Sequence, residues 1–318
     1  MSKLLYKLKS GKNSKFLYFA KNYLSLLIPS SLYRKKRVDT LRACESRSDW
    51  EYMKERIAYY NKLSSVQELP ADCPILSEHK LGSKKVYFFD TYEFTRWFDP
   101  SLRWSFLPGD ITYIPDAPSI LKSRPIAGDN QNSVLMKLNK VRHYIFVEDE
   151  KSFPEKKNMA IFRGKVAGKE GREQFMERYF GHPMFDLGDI GKRARAEWKT
   201  EKKTIKEHLD YKFIMAIEGN DVASNLKWVM SSNSVAVMPR PTYETWFMEG
   251  RLIPNYHYIE VKPDFSDVEE RLNYYIQHPE EAEEIIRNAH AYVDQFRDEE
   301  REKLISLHVL DKYFKYVK

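Results

Sequence analysis

The feature that most limits how this chain can fold is an alternation in its second half. Met159 to Phe162, Phe213 to Ile217 and Ser234 to Met238 are short apolar runs that read as buried strands. Arg172 to Phe180 and Ala223 to Ser232 lie between them and read as helices, with Glu218 to Asp221 forming a turn. Strands that alternate with helices imply a parallel sheet with right-handed crossovers, and such sheets hold ligands in the crevice at the carboxyl ends of their strands. Two helices follow. Ser266 and Glu269 are spaced as a capping box ahead of Val268, Leu272, Tyr275 and Ile276, and Pro279 opens a helix whose Ala282, Ile285, Ile286, Ala289, Tyr292, Val293 and Phe296 hold helical spacing.

The first half is less regular. Asp49 to Leu63 reads as a helix, Val86 to Phe89 and Tyr144 to Val147 as short strands, and Asp99 to Arg124 as an aromatic loop with Pro100, Pro108, Pro115 and Pro118. The polar segment from Glu148 to Asn158 breaks the pattern between two strand-like runs and reads as a linker. The expected organisation is therefore an arm over 1–38, a domain over 39–150 and a second domain over 151–318, with the last helix free to pack back on the first domain. At 42% hydrophobic and 14% aromatic residues, disorder and fibrous repeats are poor fits. Cys44 and Cys73 are too few and too isolated for a disulfide scaffold or a cysteine zinc site, and both read as structural thiols.

Charge is distributed unevenly. Residues 1–38 hold ten Lys and Arg and no Asp or Glu, so the net +7 of the chain leaves −3 for the other 280 residues. A near-neutral body argues against a nucleic-acid binder. The arm also carries Leu4, Leu5, Leu8, Phe16, Leu17, Phe19, Tyr23, Leu24, Leu26, Leu27 and Ile28, the mixture found in helices that lie on anionic membrane surfaces. Its longest apolar run, Tyr23 to Ile28, is too short to span a bilayer, and Lys15 and Lys21 interrupt any signal-peptide core. An ordinary helix docked on the body with a solvated basic face fits the same residues.

Two loops follow strands and precede helices. The first gathers Arg163, Gly164, Lys165, Gly168, Lys169, Gly171 and Arg172, where glycines permit close approach and cations meet a helix N-terminus, as a diphosphate requires. It matches neither a Walker loop nor a dinucleotide fingerprint, and by itself it also fits a flexible surface loop. The second runs from Glu218 through Gly219, Ala223, Ser224 and Asn225 to Lys227 and supplies a second helix start.

The order Phe162-Arg163-Gly164 with Arg172, Tyr211-Lys212-Phe213 with Glu218-Gly219, Ala223-Ser224-Asn225-Leu226-Lys227, Glu244-Thr245-Trp246, and Pro254-Asn255-Tyr256-His257-Tyr258 before Asp264-Phe265-Ser266-Asp267 resembles glycosyltransferase family 90. The likeness runs from about Asp110 to Phe296. Lys122-Ser123-Arg124-Pro125-Ile126 and the segment Lys137 to His143 are similar to its bacterial, lipopolysaccharide-type branch. Eukaryotic members carry an Arg near the position of Asn225. The resemblance implies a GT-B architecture of two Rossmann-like domains across a cleft, with a UDP-sugar held by the C-terminal one. It also implies inverting transfer without a metal or other cofactor, and the sequence has no Asp-x-Asp motif after a strand.

In the family the base that takes the acceptor proton is an Asp two residues before a proline, which Asp116-Ala117-Pro118 matches. An Asx turn beside Pro118 explains the same residue, and Asp110 is the rival base. The implied donor-site residues are Arg163, Gly164, Arg172, Gly219, Ala223, Ser224, Asn225 and Lys227, with Glu244 for the ribose hydroxyls. Trp246 fits the base pocket or the core, His257 and Tyr258 fit packed roles, and Arg124, Arg142 and His143 fit either an acidic acceptor or a salt-bridged scaffold. The expectation is a cytoplasmic enzyme, peripheral on the inner face of the membrane through residues 1–38. It would move a sugar from a UDP-sugar to a hydroxyl of a bacterial surface glycan or glycolipid such as lipopolysaccharide core. The rival is a catalytically inactive glycan-binding or regulatory module on the same fold.

Overall fold

The protein, seen in a computed structural model that describes residues 10–318, divides into two compact units. Unit 1 takes residues 10–13, 142–241 and 249–295; unit 2 takes 14–141, 242–248 and 296–318. The chain passes from unit 1 to unit 2 at 13/14 and back at 141/142, before the polar segment expected to link domains, and it returns to unit 2 for the seven residues 242–248 and again for the last helix.

Unit 2 begins with helices α1 (Lys15–Ser25), α2 (Ser30–Ala43), α3 (Trp50–Tyr60) and α4 (Lys85–Thr95). Strand β1 (Ser119–Leu121) pairs in parallel with β3 (Ser133–Leu135), and β2 (Ser123–Pro125) pairs antiparallel with β8 (Tyr243–Thr245). The closing helix α9 (Glu299–Tyr316) packs on α3, α2 and α4. The expected strand Val86 to Phe89 is helical, and the consecutive burial of Phe88, Phe89, Asp90 and Thr91, with Phe94 and Thr95, covers α4 on most sides instead of alternating as along a strand. The first of the arm's two helices docks there: Tyr18 donates to Asp90 at 2.7 Å and Phe19 and Tyr23 pack edge-on to Phe89, while α2 sets Tyr33 against Trp97. The part of the expected arm before Ser10, with Lys3, Lys7 and Lys9, lies outside the described residues.

Unit 1 is a Rossmann-like α/β unit. Strands β4 (Lys157–Gly164), β5 (Phe185–Asp189), β6 (Tyr211–Met215), β7 (Val235–Met238) and β9 (Ile259–Glu260) form one parallel sheet in the order β5-β4-β6-β7-β9. Helices α5 (Glu170–Tyr179), α6 (Leu226–Met230), α7 (Val268–Gln277) and α8 (Pro279–Asp294) accompany it. Every residue of β6 and β7 is buried, which is why these strands read as unbroken apolar runs: a parallel sheet covered on both faces has no polar side. Phe162, Phe175, Phe213, Met215, Val235 and Val237 belong to this core, each contributing on the order of 1.5–3 kcal/mol. Tyr144 to Val147 forms no strand. Helix α7 is not opened by a capping box, since Ser266 turns back to Asp264 at 2.8 Å. Proline does open α8, as expected.

Candidate functional site

The strand order places a topological reversal between β4 and β6: the chain leaves β4 for β5 on one side, then crosses to β6 and continues outward on the other. Ligands of open α/β sheets bind outside the carboxyl ends at this reversal. The two loops singled out by the sequence leave from these neighbouring strands, paired through Ala160 with Phe213 and Ile161 with Ile214.

Arg172 fastens the two loops together. Its Nη1 donates to the carbonyl of Lys165 at 2.9 Å, its Nη2 to Ile217 at 2.8 Å and its Nε to Glu218 at 3.0 Å. Burial, and then the Arg142 guanidinium, push Arg172 down to about 10. Arg142 also depresses Lys12, again behind burial. Arg142 therefore acts as a like charge on both Arg172 and Lys12, with Asp189 and Asp221 acting on Arg172 in the opposite sense. Such a concentration of like charge costs free energy unless an anion offsets it. Gly219 is required for this packing, because a Cβ there would stand 2.9 Å from Arg172 Nη2. Gly168 turns the first loop with a φ of +74°, a left-handed conformation that glycine adopts without penalty.

The other residues assigned to the donor are placed differently. Arg163 turns away to the sheet edge, donating to the Asp186 carbonyl at 2.7 Å and pairing with its carboxylate, while Nε is buried without a partner. Gly164 ends β4 and accepts from Ile190. Lys227 is fully buried and pairs with buried Glu249 at 2.6 Å. Ala223 is buried, Ser224 half-buried, and Asn225 spends its side-chain amide on the Met215 carbonyl at 3.0 Å. The second helix start expected there is a five-residue turn, and α5 already carries Glu170 and Glu173 in its first turn, with Glu173 accepting from Gly168 at 2.9 Å. The anion-binding capacity of unit 1 thus comes from side-chain cations more than from helix ends. From sequence Lys12 counts only among the cations of the arm; the fold brings it under the influence of Arg142.

Glu244 belongs to unit 2. It is buried on β8, accepting from Arg124 Nε at 2.8 Å and from the Tyr59 hydroxyl. Trp246 is core: it stacks on Tyr60 at 3.8 Å and donates Nε1 to Glu302 at 2.6 Å. Glu302 also takes Arg56 at 2.5 Å and Lys137 at 3.0 Å, which completes a buried polar network. His257 accepts from the Ile253 amide and is packed, as is Tyr258.

Asp116, also in unit 2, is exposed, so the burial expected of its loop does not act on it. Its backbone is nevertheless fixed. Asn132 donates to the carbonyls of Pro115 at 3.1 Å and Asp116 at 2.9 Å, and Tyr313 holds Pro118 at 2.9 Å. Its rival Asp110 pairs at 2.5 Å with Lys122, whose ammonium is buried. A carboxylate held by a buried cation is a poor proton acceptor. Among the described residues, the grouping of His and carboxylates with metal-ligand spacing is His278, Glu280 and Glu281, where α7 meets α8.

Residues 132–318 match the sequence model of glycosyl transferase family 90. The chain is also similar to the O-glucosyltransferase LpsA of Dichelobacter nodosus, 41% identical over 263 residues that cover 82% of this chain and 82% of that protein.

Proposed function

The chain belongs to glycosyltransferase family 90, and we propose that it moves a sugar from a UDP-sugar to a hydroxyl of a bacterial surface glycan or glycolipid, with lipopolysaccharide core as the acceptor class. The observation that carries the donor reading is Arg172 bridging the two loops at the β4–β6 reversal with Arg142 in its field, cations suited to the diphosphate of UDP. The name of the D. nodosus relative makes UDP-glucose the first donor to test. In this reading unit 1 holds the donor in a GT-B arrangement, and unit 2 supplies the base.

The reaction is one in-line displacement. The acceptor oxygen attacks the anomeric carbon, its proton passes to Asp116, the bond from that carbon to the diphosphate breaks, and UDP leaves with the electron pair. Configuration inverts. Charge on the leaving group is offset by the Arg172 set, so no divalent ion is needed. The protein works on the cytoplasmic face of the membrane, held there by α1 and α2; no described helix is long and apolar enough to cross a bilayer. UDP should raise the melting temperature in the presence of EDTA, and Arg172→Met should remove that rise. An unchanged response in the variant would take the diphosphate away from Arg172.

A further inference from the structure

The docking of α1 and α2 leaves an apolar ridge in solvent. Phe16, Leu17, Leu24, Leu27, Ile28 and Leu32 are all exposed, Phe16 and Leu27 to nearly four-fifths. Residues 10–38 carry seven Lys and Arg and no carboxylate, so the ridge lies in a uniformly positive segment. Where this segment turns from α1 into α2 it forms one wall of a 370 Å³ cavity within unit 2.

The lining of that cavity is chemically one-sided. Arg34, Lys80 and Arg96 face it together with Ser30, Ser77 and Tyr92, its remaining walls are largely apolar, and no carboxylate lines it. Arg96 is only 4% exposed; it donates to the carbonyls of Ser25 at 2.9 Å and Ile28, and its Nε is buried with no partner. The guanidinium lies over the rings of Tyr33 and Tyr92 and is paired with no acid. Asp99, whose carboxyl feels Arg34 and Arg37 from outside the cavity lining, is exposed and bonded to Ser101. A buried cation without an anion is costly, and the cavity beside it is where an anion would sit. His79, on the same wall, is held neutral at pH 7 by burial, with its ring pushed down to about 4, and adds no charge.

We propose that this cavity binds the phosphate headgroup of a membrane phospholipid, with Arg96, Arg34 and Lys80 on the phosphate and the acyl chains lying along the Leu24–Leu27–Leu32 ridge. The proposal rests on the membrane reading of α1 and α2 given above and goes further, because it replaces a diffuse attraction with a stoichiometric headgroup site. Apolar groups beside a cationic pocket suit a ligand that is anionic at one end and hydrocarbon at the other.

The test is partition of the full-length protein onto vesicles of phosphatidylcholine alone or mixed with phosphatidylglycerol. Lys35→Gln with Lys36→Gln, removing two charges outside the cavity, should lower partition onto the mixed vesicles by no more than about thirty-fold, the diffuse worth of two charges at roughly 1 kcal/mol each, whereas Arg34→Gln with Lys80→Gln should lower it at least about tenfold further. Leu24→Asn with Leu27→Asn should release the protein from both vesicle types. Melting temperatures of all variants should stay near that of the parent, since every replaced side chain is exposed. Equal losses in the two charge variants would overturn the headgroup site while leaving a membrane surface in place. If the parent protein ignores every vesicle, the membrane reading falls and the headgroup site with it. Soluble glycerol phosphate should not displace the protein; displacement at millimolar concentration would assign the cavity to a free phosphate ester and overturn the lipid.

Discussion

Replacing Lys227 separates two roles that its sequence position allows. In the structure its ammonium is fully buried against Glu249 at 2.6 Å and lies over the Tyr144 ring. Lys227→Met keeps the length of the side chain but strands the Glu249 carboxylate, itself 1% exposed. Breaking a buried pair from one side costs about 3–5 kcal/mol, which for a unit of this size lowers the melting temperature by on the order of 10 °C. Adding Glu249→Leu removes the stranded charge and should recover most of that loss, since apolar replacement of both partners of a buried pair is often neutral. Differential scanning calorimetry of the parent, the two single variants and the double variant, with and without UDP, reads both effects. The double variant should still be stabilised by UDP. The reasoning is refuted if Lys227→Met melts like the parent but no longer responds to UDP, for then Lys227 would be a phosphate ligand and its pairing with Glu249 incidental.

Asp116→Asn should reduce sugar transfer by about 10²- to 10⁴-fold with the UDP melting shift intact, as rate and calorimetry on one preparation would show. Asp110→Asn should act on stability first, because it leaves the buried Lys122 ammonium without its carboxylate; a variant that is stable yet inactive would make Asp110 the base instead. Gly219→Ala should weaken the UDP response several-fold without unfolding the chain, its Cβ displacing the Arg172 guanidinium, and full retention of UDP binding would count against Arg172 as the tie between the loops. Stability should also depend on acid through His208, whose ring burial pushes down to about 4. The unfolded chain takes up that proton near pH 6.5, so His208 costs nothing above that pH and drains up to about 3 kcal/mol as pH falls to about 4. His208→Gln should flatten the stability profile in that window, and a slope unchanged by the substitution would exclude the buried ring as its source.

The sheet was legible where burial is symmetric. Strands β6 and β7 announce themselves because both faces are covered, and β4 does so over its buried Ala160, Ile161 and Phe162. The sheet-edge strand β5 escaped notice, since Phe185-Asp186-Leu187-Gly188-Asp189 carries a glycine and two carboxylates, one of which pairs with Arg163. Aromatic and β-branched residues at Val86 to Phe89 suggest a strand, but the segment is packed on most sides and tertiary burial overrides that local preference. In the site, residue type was readable and partnership was not. Sequence spacing identifies Arg163, Arg172 and Lys227 as cations near strand ends; only the fold shows that Asp186 and Glu249 occupy two of them while Arg172 reaches three carbonyls. The resemblance assigns Glu244 to the donor through the motif Glu244-Thr245-Trp246, yet residues 243–245 pair with β2 within unit 2, Glu244 facing Arg124 from 120 positions away.

The most direct measurement of the central claim is the configuration of the sugar released from UDP-glucose. With water as acceptor and EDTA present, proton NMR followed from the first minutes should show β-glucose appearing before mutarotation, at a rate that Asp116→Asn lowers by about two orders of magnitude or more. Release of α-glucose first, or no turnover until a divalent ion is added, would contradict a single displacement driven by Asp116 and a cationic diphosphate site.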